Sequence, residues 1–158
     1  MVSRGQGVSV QYFEDYAPGQ VYASGRLTID AAAIREFAAR FDPQPFHLDE
    51  AAARSSLFGG LAASGWHTAA LTMRLIVDGA FRPAGGILGA GGELQWLMPV
   101  RPGDELRATV EILETRPSRS RPGHGVVKVK VTTLNQAGEA VQTFAPTLFV
   151  ERRAAAAG

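Results

Sequence analysis

The segment SGWHTAALTMRLIVDGAF, residues 64–81, constrains the fold more than any other part of the chain. Its apolar side chains recur at helical spacing and fall on nearly every face of the predicted helix. A helix of this kind has to be buried, so we expect it to run through the middle of the fold. One apolar stripe along it consists of Trp66, Ala69, Ala70, Met73 and Val77.

The sequence pattern differs on the two sides of this helix. Residues 30–79 have helical spacing, including DAAAIREFAARF and a short DEAAARSS segment, whereas the chain from about residue 86 onward alternates as strands do. Residues 106–112 and 127–131 alternate apolar with polar or charged side chains. This alternation is typical of antiparallel sheets with one face buried and one face in water.

Shorter signals place the remaining strands and turns. A first strand is predicted at 21–27, followed by a helix that Thr28 or Asp30 caps. RPGD at 101–104 has proline and glycine at the positions that a type II turn needs. Pro146 indicates either an edge strand or a bulge at the last strand.

Together these elements predict an α+β fold in which an antiparallel sheet of about five strands wraps one long buried helix. A length of 158 residues suits one domain with a core of its own. We expect an N-terminal extension at residues 1–13, the folded domain at 14–152 and a flexible tail at 153–158.

Composition argues against several classes of function. A net charge of +1 gives no electrostatic reason to expect nucleic acid as a partner. The chain has three scattered histidines and no cysteine, so no metal site is predicted. GAGG at 89–92 lacks the strand and helix that flank a dinucleotide site, and we expect no cofactor. Neither a membrane span nor a secretion signal is visible, so a cytoplasmic location is expected.

The segment FDPQPFH, residues 41–47, is the strongest candidate for chemistry. Two prolines stiffen it and separate Asp42 from His47 by a fixed spacer. Asp42 lies at the carboxyl end of a predicted helix, whose dipole should raise the pKa of a carboxylate there. An aspartate and a histidine held in this way suit proton transfer to and from a water. The alternative is structural: Asp42 caps a turn and His47 is a hydrogen-bonded core residue.

A glycine-rich stretch, FGGLAASGWHT at 58–68, follows soon after. It leads into the long helix, so the amide of Gly65 is a candidate donor to a thioester oxygen. Simple turn geometry and close packing explain Gly59, Gly60 and Gly65 equally well. His67, on the same helix, is interpreted as a core or interface histidine whose hydrogen bonds are satisfied, rather than as a catalytic one.

The run from Phe41 to Leu71 resembles the MaoC-like dehydratases and (R)-specific enoyl-CoA hydratases. The family signature is an aspartate, two residues, a proline, one residue and a histidine, then a glycine-rich run and a glycine that opens the central helix. The resemblance covers about residues 14–150, including ELQWLMPVRPGDEL. It implies a hotdog fold, homodimers, and a place in acyl-CoA and fatty acid metabolism.

The resemblance also implies roles for individual residues. Asp42 would activate the water that adds to C3 of a 2-enoyl thioester, and His47 would hold this water and pass a proton toward C2. The backbone amide of Gly65 would stabilise the enolate oxygen. Coenzyme A or the pantetheine arm of a carrier protein would deliver the acyl chain. The substrate pocket would further include Gln44, Phe46, Ser64 and Trp66.

Two positions depart from the common signature: Gln44 replaces an asparagine, and Ser64 replaces the usual histidine before the helix glycine. These departures leave the shape of the substrate open. A thioesterase and a non-catalytic acyl-CoA-binding subunit remain the alternatives to a hydratase. Residues 116–125, RPSRSRPGHG, are interpreted as a solvated hairpin loop, with a grip on ligand phosphates as the alternative.

Overall fold

The computed structural model describes residues 9–154. A five-stranded antiparallel sheet has the strand order β1-β3-β4-β5-β2, and the helices lie between β1 and β2 in the sequence. The predicted α+β class is therefore confirmed. The strands are β1 (Val21–Thr28), β2 (Leu88–Trp96), β3 (Glu105–Pro117), β4 (His124–Leu134) and β5 (Ala140–Glu151). The helices are α1 (Ala31–Phe41), α2 (Pro45–Leu48), α3 (Glu50–Arg54) and α4 (Gly65–Asp78), after a 3₁₀ turn at Phe13–Asp15.

Helix α4 packs one face on the sheet. Leu75 and Ile76 of this helix join the buried cluster that contains the inward-facing residues of β3 and β4. Closer to its amino-terminal end, α4 also buries the polar residues His67, Thr68 and Thr72. The central helix thus has a mixed buried face, with polar residues in its first two turns and apolar residues in its third and fourth.

The expectation that α4 is buried on nearly every side is wrong for the single chain. The stripe singled out in the sequence lies on the opposite face, where Trp66 is 59%, Met73 41% and Val77 54% exposed. Among the described residues no element covers this face. Helical periodicity identifies apolar stripes, but it does not show which stripe meets the sheet.

Local signals predicted the first helix and the turn before β3 correctly. Asp30 caps α1, because its side chain accepts a hydrogen bond of 2.8 Å from the amide of Ala33. Gly103 has φ = +89°, and the amide of Asp104 donates to the carbonyl of Arg101, as in a type II turn. The short α3 is capped by Asp49 in the same manner as α1.

Pro146 lies opposite a β-bulge, as one of the two alternatives predicted. The register of β2 against β5 shifts between Gly89 and Gly92, and Gly92 pairs with Pro146. The other alternative, an edge strand, is wrong because β5 lies between β4 and β2. A Cβ on Gly92 would lie 2.5 Å from the carbonyl oxygen of Ala145, so only glycine fits this approach.

The segment between Asp42 and His47 is not the extended loop that two prolines suggest. Pro45 begins the one-turn helix α2, where its missing amide costs nothing because first-turn amides have no helical acceptor. His47 is therefore on a helix and is buried, with 4% exposure. The aspartate is therefore held at the end of α1 and the histidine within α2, and no extended loop separates them.

The N-terminal part of the chain already contacts the domain before residue 14. Gln11 donates to the carbonyl of Ala80 and forms a bridge with Pro83. At the other end Arg153 pairs with Asp15 at 2.7 Å. The boundaries at 14 and 152 stay predictions, and the tail at 155–158 lies outside the described residues. Within residues 9–154 no helix has the length and apolarity that crossing a bilayer requires.

Candidate active site

The predicted site residues meet at one cleft of about 450 Å³. The cleft lies at the amino-terminal end of α4, between α2, the residues before α4 and the end of β2. Of the seven residues predicted for the site, Ser64 alone does not line the cleft, since it is buried behind Asp42. The six that line it are Asp42, Gln44, Phe46, His47, Gly65 and Trp66.

Asp42 ends α1 as its C-cap residue and is held from two sides. Its Oδ2 accepts a hydrogen bond of 2.7 Å from the Ser64 hydroxyl, and its Oδ1 accepts one of 2.5 Å from the Gln44 amide. The Nε2 of His47 lies 3.3 Å from the same Oδ2. The carboxylate is thus fixed in the cleft and directed at the imidazole.

The expectation of a raised pKa at Asp42 is wrong. Burial pushes the pKa of this carboxyl upward, but the hydrogen bonds from Ser64 and Gln44 and the charge of His47 outweigh it. The pKa of Asp42 therefore lies below its ordinary value of 3.8. Hydrogen bonds to the charged form stabilise it, so Asp42 is ionised near neutral pH.

His47 has a defined tautomer. Its Nδ1 lies 2.7 Å from the carbonyl oxygen of Ala62, and a carbonyl only accepts, so Nδ1 carries the proton. In the neutral imidazole Nε2 is then an acceptor that faces the Asp42 carboxylate. The imidazole Nε2 and the Oδ2 of Asp42, 3.3 Å apart, therefore place two proton-transfer groups side by side in the cleft.

The segment that carries the Ala62 carbonyl is itself held by Arg101. The guanidinium of Arg101 donates to the carbonyls of Gly60 and Phe58, and the amide of Ala63 donates to the carbonyl of Val100. Gly59 in this segment has φ = +65°, so turn geometry explains this glycine.

Ser64 and Gly65 begin α4 beside the acid–base pair. Ser64 is the N-cap, and its hydroxyl accepts a hydrogen bond from the amide of Trp66 while it donates to Asp42. Gly65 is the first helical residue, so its amide has no acceptor within the helix. A Cβ at this position would lie 2.4 Å from the ring of Trp96. Close packing therefore requires glycine here, independently of any role for its amide.

His67 is buried, as predicted, but the expectation that its hydrogen bonds are satisfied is wrong, because its Nδ1 has no partner among the described residues. It is 6% exposed and stacks on Phe37 with ring centroids 4.5 Å apart. Burial lowers the pKa of this histidine, which keeps it neutral. Within residues 9–154, no group of three or more histidine, aspartate and glutamate side chains is arranged to hold a metal ion.

The sequence did not identify the wall of the cleft opposite the acid–base pair. Trp96 lies at the end of β2 and packs edge-on against Trp66 with ring centroids 5.0 Å apart. The run 97–100 continues this wall, and Phe58, which packs against Phe46 and His47, also lines the cleft. The only signal was the apolar stretch WLMPV, which alternation alone does not separate from a core strand.

The arginine-rich segment joins β3 to β4 as a hairpin, which agrees with the first interpretation of it. In this chain it does not lie at the cleft. Thr133 of β4 pairs with Gln142 of β5, which in turn pairs with Trp96 of the cleft strand β2. His124, where the hairpin meets β4, is nine residues from Thr133, so the two ends of β4 are roughly 30 Å apart. The phosphate-binding alternative has no support within one chain.

The fold and this cleft together define a class of protein. A five-stranded antiparallel sheet packed on a central helix is the hotdog fold, which the resemblance implied. Residues 14–135 match the family described as the MaoC like domain. The chain therefore belongs to the MaoC-like family.

Solved structures and relatives agree with this assignment. The chain is similar to the MaoC-like dehydratase of Rhodospirillum rubrum, with 54% identity, a TM-score of 0.89, and coverage of 92% of this chain and 99% of that one. The (R)-hydratase PhaJ1 of Pseudomonas aeruginosa matches at 26% identity and a TM-score of 0.70, covering 93% and 92% of the two chains. The protein YdeM of Bacillus subtilis is 35% identical over 78% of this chain and 86% of its own length.

The low pKa of Asp42 can be tested at Ser64. Replacing Ser64 by alanine removes a hydrogen bond that stabilises the carboxylate, so the pKa of Asp42 should rise. The measurement is a titration of the Asp42 carboxyl carbon by NMR. Ser55→Ala, at an exposed serine without contact to Asp42, should leave this pKa unchanged.

The same substitution should change the dependence of stability on pH. A carboxyl whose pKa is lower in the folded than in the unfolded state stabilises the fold at every pH above its unfolded-state pKa. This stabilisation is lost as the pH falls through the folded-state pKa. Ser64→Ala should therefore lose less stability than the wild type on acidification from neutral pH. An unchanged pKa of Asp42 in this variant would contradict the account.

Proposed function

We propose that this protein catalyses the reversible hydration of a 2-enoyl thioester to a 3-hydroxyacyl thioester. The observation that carries the proposal is the Asp42–His47 pair, a carboxylate and an imidazole nitrogen 3.3 Å apart in one cleft. Membership of the MaoC-like family and the likeness to an (R)-hydratase support the same chemistry.

In the proposed reaction one water donates its two hydrogens to Asp42 and to Nε2 of His47. The water oxygen attacks C3 and keeps the hydrogen that is directed at Asp42. The other hydrogen passes to Nε2, and the C2–C3 π electrons move toward the thioester oxygen. His47 then returns this proton to C2, which completes the addition and regenerates the neutral imidazole. Dehydration follows the same steps in reverse.

The thioester oxygen needs a donor while it carries negative charge. The amide of Gly65 lies at the amino-terminal end of the 14-residue helix α4, where the helix dipole favours an anion. Gly65 lines the same cleft as Asp42 and His47. We assign it the role of oxyanion donor, and Phe46, Gln44 and Trp66 the role of pocket walls. Either coenzyme A or the pantetheine arm of a carrier protein would deliver the acyl group through the open side of the cleft.

Asp42→Asn tests the proposed role of the carboxylate. The substitution keeps the shape of the side chain but removes the charge that activates the water, so hydration should slow by roughly 10²–10⁴-fold. The measurement is the loss of the enoyl-thioester absorbance of crotonyl-CoA.

Asp49→Asn is the matched control, because Asp49 caps α3 seven residues away and asparagine also caps helices. This control should keep nearly full activity. If Asp42→Asn stayed within a few-fold of the wild type, Asp42 would have no part in the reaction. Release of free thiol by the wild type would instead favour a thioesterase.

A homodimer is the assembly that the exposed surface favours. Strand β2 is an edge strand, and all its residues except Leu94 are exposed. The exposed side chain of Met73 on α4 lies beside β2, and the exposed Trp96 belongs to β2 itself. An apolar patch next to an open strand edge is typical of an interface. We propose that the occupant is a second copy of this chain, because an edge strand pairs with its own copy about a two-fold axis.

Met73→Glu tests this assembly. A charge in the apolar patch beside β2 should convert a dimer of 16.8 kDa chains into monomers, as read by sedimentation equilibrium. Val21→Glu is the control, since Val21 is 61% exposed on β1 at the opposite edge of the sheet. A wild-type protein that sediments as a monomer would refute the proposed dimer.

A further inference from the structure

A chain of four hydrogen-bonded side chains crosses the interior next to the cleft. The Trp96 indole donates to the Gln142 carbonyl oxygen at 3.0 Å, and the Gln142 amide donates to the Thr72 hydroxyl oxygen at 3.2 Å. Thr72 donates to the carbonyl of Thr68 at 2.8 Å, so the Thr133 hydroxyl, 2.7 Å away, must donate to Thr72. Gln142, Thr72 and Thr133 are each at most 3% exposed. We call these four residues the polar row: Thr72, Trp96, Thr133 and Gln142.

Three members of the polar row lie side by side on neighbouring strands of the sheet, and the fourth, Thr72, lies on the helix that packs on them. Trp96 pairs with Gln142 across β2 and β5, and Thr133 pairs with Gln142 across β4 and β5. Thr72 of α4 contacts both Gln142 and Thr133. The three strands and α4 therefore meet at a single level of the fold.

A second cavity of about 290 Å³ lies beyond this level. It is lined almost wholly by apolar side chains, among them Met73, Ile76, Val131 and Phe144. On the same face of the sheet, the next pair after Trp96–Gln142 is Leu94–Phe144, and the next pair after Thr133–Gln142 is Val131–Phe144. The apolar cavity thus begins one side-chain layer past the polar row.

The order of the three features is the same along the elements that form them. On α4, Thr68 lines the cleft, Thr72 belongs to the polar row, and Ile76 lines the apolar cavity. On β2, Trp96 lines the cleft and belongs to the row, and Gly91 lines the apolar cavity. The row consequently separates two parts of one groove between the helix and the sheet.

We propose that the polar row is a partition that ends the acyl-chain site and restricts this enzyme to short acyl groups. The inference rests on the proposed hydratase function. A chain whose C3 is at the Asp42–His47 pair runs along α4 toward Thr68, and the next groups it meets are the row. Passing them would break hydrogen bonds between buried groups, for which a methylene chain offers no replacement.

The position of the row sets an approximate limit. From Gly65, which binds the thioester oxygen, to Thr72 is seven residues of helix, or about 10 Å. An extended chain advances about 1.2 Å per bond, as the backbone does with its three bonds in about 3.6 Å. Acyl groups of up to about eight carbons fit on the near side of the partition. Longer groups have to cross it.

The test is the chain-length profile of the wild type and of partition variants. Rates and KM are measured with 2-enoyl-CoA substrates of 4, 6, 8 and 12 carbons. We expect kcat/KM of the wild type to stay constant or to rise with chain length up to about C8, by at most about fourfold for each added methylene. At C12 we expect kcat/KM to be at least tenfold lower than at C8. Hydration of the C12 substrate as fast as the C8 substrate would overturn the partition.

Gln142→Ala removes the middle of the row and should raise the C12-to-C4 ratio of kcat/KM at least tenfold. Gln142→Met keeps most of the volume but removes the hydrogen bonds to Trp96 and Thr72, so it should also raise this ratio, by less than Gln142→Ala does. Phe144→Ala widens only the apolar cavity, which the wild-type substrate does not reach, and should leave the profile unchanged. An unchanged profile in folded Gln142→Ala, or a changed profile in Phe144→Ala alone, would contradict the proposal.

Binding of saturated acyl-CoA supplies a readout that needs no turnover. Both tryptophans of the chain, Trp66 and Trp96, line the cleft, so their fluorescence reports occupancy. Butyryl-CoA should bind the wild type more tightly than dodecanoyl-CoA, and Gln142→Ala should reverse this order. Failure to hydrate crotonyl-CoA despite binding would refute the proposed function, whereas tighter binding of dodecanoyl-CoA to the wild type would refute the partition.

Discussion

The hydroxyl of Ser64 joins the two helix ends on which the site depends. It donates to Asp42 at the end of α1 and accepts from the amide of Trp66 at the start of α4. One buried group therefore fixes the carboxylate, begins the central helix and sets the distance between the acid–base pair and the Gly65 amide. Because the same bond stabilises ionised Asp42, the position of the carboxylate and its charge state have one physical cause.

The elements with local signals were predicted from the sequence. The turn at Gly103 and the alternation in β3 and β4 each depend on a few neighbouring residues, and each was predicted correctly. Asp30 caps α1, as one of the two alternatives predicted. The exposed face of α4 was not, because periodicity does not show whether an apolar stripe meets the sheet or another molecule. The helix at Pro45 was also missed, since proline suits a first turn as well as a loop.

The seven predicted site residues converge, but their electrostatics did not follow from the local sequence. Burial raises the pKa of Asp42, whereas the first of the hydrogen bonds that outweigh burial comes from Ser64, 22 residues away. Trp96 and Gln142 escaped notice for the same reason, because strand pairing brings them to α4. What the sequence identified was the pair that we propose to react, and what it left out was the boundary of the space around that pair.

In the proposed reaction one water, shared by Asp42 and His47, supplies both groups that add to the double bond. The direct measurement is the NMR spectrum of the product from crotonyl-CoA in D₂O. Both acceptors lie on one wall of the cleft, so the account predicts 3-hydroxybutyryl-CoA with a single deuterium at C2, on the same face as the new hydroxyl. Deuterium on the opposite face, or free thiol in place of a hydroxyacyl product, would contradict it.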